Sequence, residues 1–138
     1  MNNMHELPLE DFLHALPVVT LYSANDEHYT LKLVNAEAAR MLGYDVQGFL
    51  NNQQYTAASV VHPDDLDFLE RMDEELAKSG GKLVARYRLI DAKGREVPVM
   101  DVSRAHMRDG KCIGFFSVLT DLRAIPALQG PTGRLDGV

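Results

Sequence analysis

Chemistry in this 138-residue chain would have to come from one cysteine, five histidines and twenty carboxylates. Their spacing does not favour catalysis. His62, Asp64 and Asp65 lie close together, and a metal site needs several such ligands converging. The run Pro63-Asp64-Asp65 already has a structural explanation. Proline and carboxylates suit the first turn of a helix, where free N–H groups and the dipole favour negative charge. No metal is therefore expected. There is no Gly-x-Ser-x-Gly elbow, P-loop or Gly-x-Gly-x-x-Gly run, so no enzyme is expected either. The single Cys112 excludes an internal disulfide framework and a Cys-rich zinc site. It reads as a small, half-buried hydrophobe. His62 and His106 read as solvated or core histidines.

The elements that would position these groups can be read from patterning. The chain is 46% hydrophobic and 25% charged, an ordinary globular mix of one domain's length. Its formal charge is -6, which lacks the cationic footprint of sequence-independent nucleic-acid binding. No apolar run approaches the ~18 residues of a membrane span. Met1 to Glu6 have neither the basic start nor the apolar core of a secretory signal. The expectation is a cytoplasmic protein without nucleic-acid or membrane partners.

Leu9, Phe12, Leu13 and Leu16 predict an amphipathic helical cap over residues 1–16, stopped by Pro17. Val18 to Tyr22 and Tyr29 to Val34 read as two strands joined by the turn residues from Ser23 to Asp26. Asn35 is the expected N-cap of a helix through Leu42, with Gly43 as its stop. Val46, Phe49 and Leu50 suggest one helical turn. Tyr55 to Val61 fits another turn or an extended stretch. The longest helix is expected from about Asp64 to Lys78, carrying Leu66, Leu69, Met72 and Leu76 at helical spacing. Lys82 to Ile90, Arg95 to Met107 and Lys111 to Leu122 then read as three strands separated by tight turns. Residues 124–138, rich in Gly and Pro, read as a flexible tail. The order gives an α+β domain: a five-stranded antiparallel sheet with helices covering one face.

The last strand carries large apolar residues in both phases. Ile113, Phe115, Ser117 and Leu119 face one way, Phe116, Val118 and Thr120 the other. A half-solvated sheet shows polar residues outside. The outer face therefore calls for cover. The N-terminal helix can supply it through Leu9, Phe12, Leu13 and Leu16, and a second copy can do so against Phe116 and Val118. Arg86, Arg88 and Arg104 form a polar rim there or are simply solvated.

Four stretches resemble the PAS sensor family, from about Pro17 to Arg123. Val34-Asn35-Ala36 followed by Met41-Leu42-Gly43-Tyr44 is similar to its second strand and first helix. Val61-His62-Pro63-Asp64-Asp65 is similar to the start of its long helix. Tyr87-Arg88-Leu89 and Asp91-Ala92-Lys93-Gly94 are similar to its third strand and following turn. Ile113-Gly114-Phe115-Phe116 through Val118-Leu119-Thr120-Asp121-Leu122 is similar to its last strand and acidic exit.

The resemblance implies a sensory or dimerisation module at residues 17–123. It would serve a histidine kinase of a two-component system, a cyclic-di-GMP enzyme, a chemoreceptor or a transcription regulator. It would pass a ligand- or partner-induced shift through its last strand, with Asp121 coupling the sheet to the downstream element. The ligand-pocket candidates are Tyr22, Leu42, Tyr55, Leu69, Tyr87, Phe115, Ser117 and Leu119. They suit a small, largely hydrophobic ligand, or else a filled core. Flavin and coumarate photosensing need a cysteine near the middle helices, and residues 44–56 have none. Haem in the commonest haem-binding members uses a histidine of the long helix, and none lies between Asp64 and Lys78. No cofactor is expected. A purely structural homodimerisation domain is the alternative from another class.

Overall fold

The computed structural model describes residues 7–136. The first six residues of the expected cap and the last two of the expected tail lie outside that range. Helix α1 spans Leu9–Ala15, β1 Val19–Ala24, β2 Leu31–Val34, α2 Glu37–Leu42 and α3 Pro63–Ser79. Strands β3 (Lys82–Ile90), β4 (Glu96–Arg108) and β5 (Lys111–Asp121) come next. Between α2 and α3 the chain makes two short 3-10 turns, Val46–Gly48 and Ala57–Val60. The sheet is antiparallel in the order β2-β1-β5-β4-β3-β6, where β6 is Gly133–Arg134. No described helix is long and apolar enough to cross a membrane.

Alternation fixes which face each strand residue occupies. Leu83, Ala85, Tyr87 and Leu89 of β3 are buried, as are Val97 and Val99 of β4 and Phe115 and Leu119 of β5. They meet Met41 and Leu42 of α2 and Met72 and Leu76 of α3 in one core. Each such buried Val, Leu, Phe or Met side chain stabilises the fold by roughly 2 kcal/mol over leaving it in water. Helix α3 stops at Gly80, whose φ of 70° is a left-handed cap that L side chains disfavour.

Four sequence expectations need correction. Asn35 does not cap α2 with its side chain. It is buried, with Oδ1 accepting from the Thr20 amide at 2.9 Å and Nδ2 donating to the carbonyls of Leu13 (2.8 Å) and Val18 (2.9 Å). An amide supplies that mix of acceptor and donors. Helix α1 does not seal the outer face. Leu9 and Phe12 are exposed, and its bonds run to the start of α2: His14 Nδ1 accepts from the Ala36 amide, and the His14 carbonyl accepts from Arg40. Phe116 (46% exposed) and Val118 (38%) remain open.

The sheet also has a sixth strand, and residues 124–136 are not a loose tail. β6 lies beside Ala85 and Arg86 of β3. Arg86 donates to the carbonyls of Leu128 and Pro131, and Thr132 donates to Asp65 at 2.9 Å. Finally, Asp65 is more than a helix-dipole carboxylate. It is 2% exposed and accepts from the Arg88 amide (2.8 Å) and guanidinium (2.9 Å). His62 takes the capping role, its Nδ1 accepting from the Asp64 amide.

Candidate functional site

Between the inner face of the sheet and the helices lies a cavity of about 130 Å³. A dry cavity of about 150 Å³ accommodates a benzene-sized guest, so this one suits a molecule of that order. Strands β1, β3, β4 and β5 wall one side through Leu21, Ser23, Tyr87, Asp101, Ser103 and Ser117. Helices α2 and α3 close the other through Met41, Leu42, Leu66, Leu69, Glu70 and Asp73. Of the expected pocket residues, Leu42, Leu69, Tyr87, Phe115, Ser117 and Leu119 all line it.

Tyr22 and Tyr55 do not. Tyr22 points to the outer face, where its hydroxyl bonds His106 Nδ1 at 2.8 Å and its ring lies 4.9 Å from that of Phe116. A Cβ at Gly114 would collide with that hydroxyl, so the arrangement needs glycine there. The strand phase decides this. Val19, Leu21 and Ser23 take the inward positions of β1, which leaves Tyr22 outside. Tyr55 packs beside the cavity in an aromatic trio with Tyr44 and Phe49, centroids 5.1 Å from each.

The polar groups of the cavity form a directed chain. Tyr87 Oη donates to Asp101 Oδ2 at 2.6 Å, and Ser103 Oγ donates to Asp101 Oδ1 at 2.6 Å. The hydroxyls of Ser103 and Ser117 are 2.7 Å apart. A hydroxyl has one proton to give. While Asp101 is ionised, Ser103 spends its proton there, so Ser117 must donate to Ser103. A proton on Asp101 Oδ1 reverses the chain: Asp101 donates to Ser103, Ser103 to Ser117, and the Ser117 proton is freed for the cavity.

Burial favours that protonated form, since it pushes the Asp101 carboxyl up against the lowering effect of the two hydroxyls. It also lifts the Asp73 carboxyl to about 7, with the nearby Asp101 and Glu70 adding to the rise. Burial and Asp101 together raise the Tyr87 phenol well above its ordinary value. The sequence reading missed Asp101, Ser103, Asp73 and Ser23. One signal was available for the first two: they share the inward phase of Val97 and Val99 in β4.

β5 leads directly from the cavity to the exit residue. Asp121 accepts from the Arg123 amide at 2.9 Å and guanidinium at 2.7 Å, and the same guanidinium reaches the Met41 carbonyl at the end of α2. Burial works against ionisation of Asp121, but its bonds to Arg123 together hold the carboxyl below its ordinary range.

The architecture and this site stand beside one family. The family model described as PAS fold matches residues 32–119. The chain belongs to the PAS fold family. No curated protein matches it in sequence. Among solved structures, it is similar to the N-terminal domain of a diguanylate cyclase with a PAS/PAC sensor from Marinobacter aquaeolei. The TM-score is 0.65 at 16% identity, covering 76% of this chain and 94% of that one. The PAS domain of a LuxR-family transcriptional regulator from Burkholderia thailandensis, in complex with ethanol, gives 0.66 at 17%, covering 85% and 99%. The LOV protein of Rhodobacter sphaeroides gives 0.68 at 14%, covering 88% and 69%.

One of these neighbours is a LOV protein, and this chain's residues can be tested against a flavin or a haem. Cys112 does not line the cavity, and its thiol donates to the Gly114 carbonyl at the start of β5. It does not fit the thiol of a flavin adduct. His62 at the α3 cap and His106 on the outer face do not line the cavity either, so neither fits an axial haem ligand inside it.

Proposed function

We propose that this PAS domain is the sensory module of a signalling protein, in which a small molecule in the cavity is read out as a shift of β5. The observation that carries the reading is the double role of β5. Phe115, Ser117 and Leu119 line the cavity, and Asp121 of the same strand engages Arg123 and, through it, the end of α2. A guest that favours one position of β5 biases the whole element, since a ligand moves an equilibrium by its differential affinity for the two states. The receiving effector would be a histidine kinase, a cyclic-di-GMP enzyme or a transcription regulator. The diguanylate cyclase and LuxR-family neighbours support the last two of these. The domain would act in the cytoplasm and without catalysis of its own. The ethanol held by one neighbour supports a guest of few atoms.

The test is an NMR titration of the labelled domain with 2-methylpropan-1-ol. Amide shifts are expected at Ser117 and Leu119 and onward to Asp121 and Arg123. In Asp121→Ala the cavity shifts persist and those beyond residue 121 fade. Shifts confined to exposed surface residues would sink the reading.

A second reading, homodimerisation through the outer face, rests on the exposure of Leu33 on β2 and of Phe116 and Val118 on β5, with Tyr22 of β1 between them. A second copy would bury that strip and add no charge to it. Sedimentation equilibrium of the native chain against Phe116→Arg tests it. A dimer converted to a monomer supports the reading, and a native monomer at high concentration removes it.

A further inference from the structure

We propose that the guest of this cavity is a small apolar molecule bearing a protonated amine, its ammonium seated between Asp73 of α3 and Asp101 of β4. The inference rests on the cavity being a ligand site, as proposed above. Three carboxylates, Glu70, Asp73 and Asp101, line a space otherwise walled mostly by aliphatic and aromatic side chains. Among the described residues, none of the three forms an ion pair with Lys, Arg or His. Of the three, Asp101 is buried and Asp73 half-buried, while Glu70 is exposed. The same molecule does pair its other buried carboxylates: Asp65 with Arg88 at 2.9 Å and Asp91 with Arg95 at 2.9 Å. Charge held out of water requires a partner or a proton. Of the buried carboxylates among the described residues, Asp101 alone has no cation beside it.

The remaining polar atoms agree with a cationic guest. Asp101 takes only one hydroxyl on each oxygen, which leaves lone pairs free. Ser23 is 8% exposed and lines the cavity, and its hydroxyl has no hydrogen-bond partner among the described residues. The surplus is in acceptors. An ammonium brings three donors and no acceptor, which matches that surplus. An alcohol brings one donor. A carboxylate brings none and is repelled. The apolar body would lie against Leu21, Leu69 and Phe115. The volume sets its size at about that of a four- or five-carbon chain.

An amine entering as a cation would displace the proton that the empty cavity holds near neutral pH. The titratable groups facing it are Glu70 and Asp73 from α3, Tyr29 ahead of β2, Tyr87 from β3 and Asp101 from β4; β1, β5 and α2 present no charge there. Binding should therefore weaken as the pH falls and these carboxyls protonate.

The experiment compares three probes with one branched body: isobutylamine, 2-methylpropan-1-ol and isobutyrate. Calorimetry gives affinities for the full chain, and NMR of the cavity residues reports where each probe sits. At about pH 8 the amine should bind at least ~10-fold more tightly than the alcohol, with isobutyrate silent. At about pH 5.5 the amine's advantage should shrink several-fold. Asp73→Asn should bring amine affinity down toward that of the alcohol, while Asp73→Glu keeps the preference. The pH series on the native chain decides the matter if the variants fold poorly. An alcohol that equals the amine at about pH 8 overturns the amine inference and leaves the sensor reading standing. If no probe perturbs Ser23, Ser103 and Ser117, both fall together.

Discussion

Asp65 and Asp101 are both buried carboxylates beside β3, at 2% and 7% exposure, yet their surroundings treat them oppositely. Asp65 receives the Arg88 guanidinium, the Arg88 amide and the Thr132 hydroxyl. The Arg88 side chain first, with the other donors, holds its carboxyl below the ordinary range. Asp101 receives two neutral hydroxyls and burial pushes it up. The first arrangement ties α3, the β3 edge and the β6 segment into one framework. The second leaves charge or a proton unmatched at the cavity wall. The carboxylate that ties elements together is supplied with a cation by the fold, whereas the one facing the cavity is not.

The largest way to break this comparison is Asp65→Ala. It removes the counterion of Arg88 and an acceptor for a β3 edge amide, so stability should fall by about 3 kcal/mol in urea unfolding. Arg88 is partly solvated, which places the loss at the lower end for buried pairs. A loss well under 1 kcal/mol would mean that Asp65 is no more structural than a surface acid.

The pH axis gives the next effect. The folded state keeps a proton on Asp73 up to about pH 7, while an unfolded chain releases it near 3.8. Stability should decline as pH rises from about 4 to about 7 and level off above, because the native state binds more protons across that window. Asp101 adds in the same direction. The contributions of Asp65 and Asp121, with lowered values, behave in reverse: present near neutrality and lost only as pH drops below the ordinary carboxylate range. Asp73→Asn should then raise stability by about 1–2 kcal/mol at pH 8 and flatten much of the slope. Destabilisation at pH 8 would show that an unrecognised partner holds the native carboxylate.

A smaller effect sharpens the structural side. Thr132→Val deletes one neutral donor to Asp65 and should cost about 0.5–1 kcal/mol. The same change in an Asp65→Ala background should cost close to nothing, a coupling that a double-mutant cycle measures. Full additivity would separate the β6 segment from the Asp65 framework.

These two carboxylates also mark how far the sequence could be read. β3 is legible from end to end, because Leu83, Ala85, Tyr87 and Leu89 hold one phase of a run rich in β-branched, aromatic and arginine residues between two turn signals. The α3 helix is legible from its apolar spacing and its proline-carboxylate start. Asp65 was readable as part of that start but not as a partner of Arg88, since no local pattern encodes a contact between a helix and a distant strand. Asp101 carried a weak signal, an acid in the inward phase of Val97 and Val99. Tyr22 was misplaced because β1 has apolar residues in both phases, so alternation alone does not choose the inner one. β6 was invisible for a different reason: the Gly and Pro content of residues 124–136 describes a backbone freedom that long-range bonds to Arg86 and Asp65 then remove.

That two-residue strand has a mechanical consequence. Only Ala85 and Arg86 pair with it, whereas β5 is laddered along its length to β1 and β4. A pull applied at Asp136 would peel β6 and the Thr132–Asp65 bond well before it loaded β5. Tension arriving from that side would therefore be dissipated at the sheet's rim. The central strand that walls the cavity would keep its position until the rim had already given way.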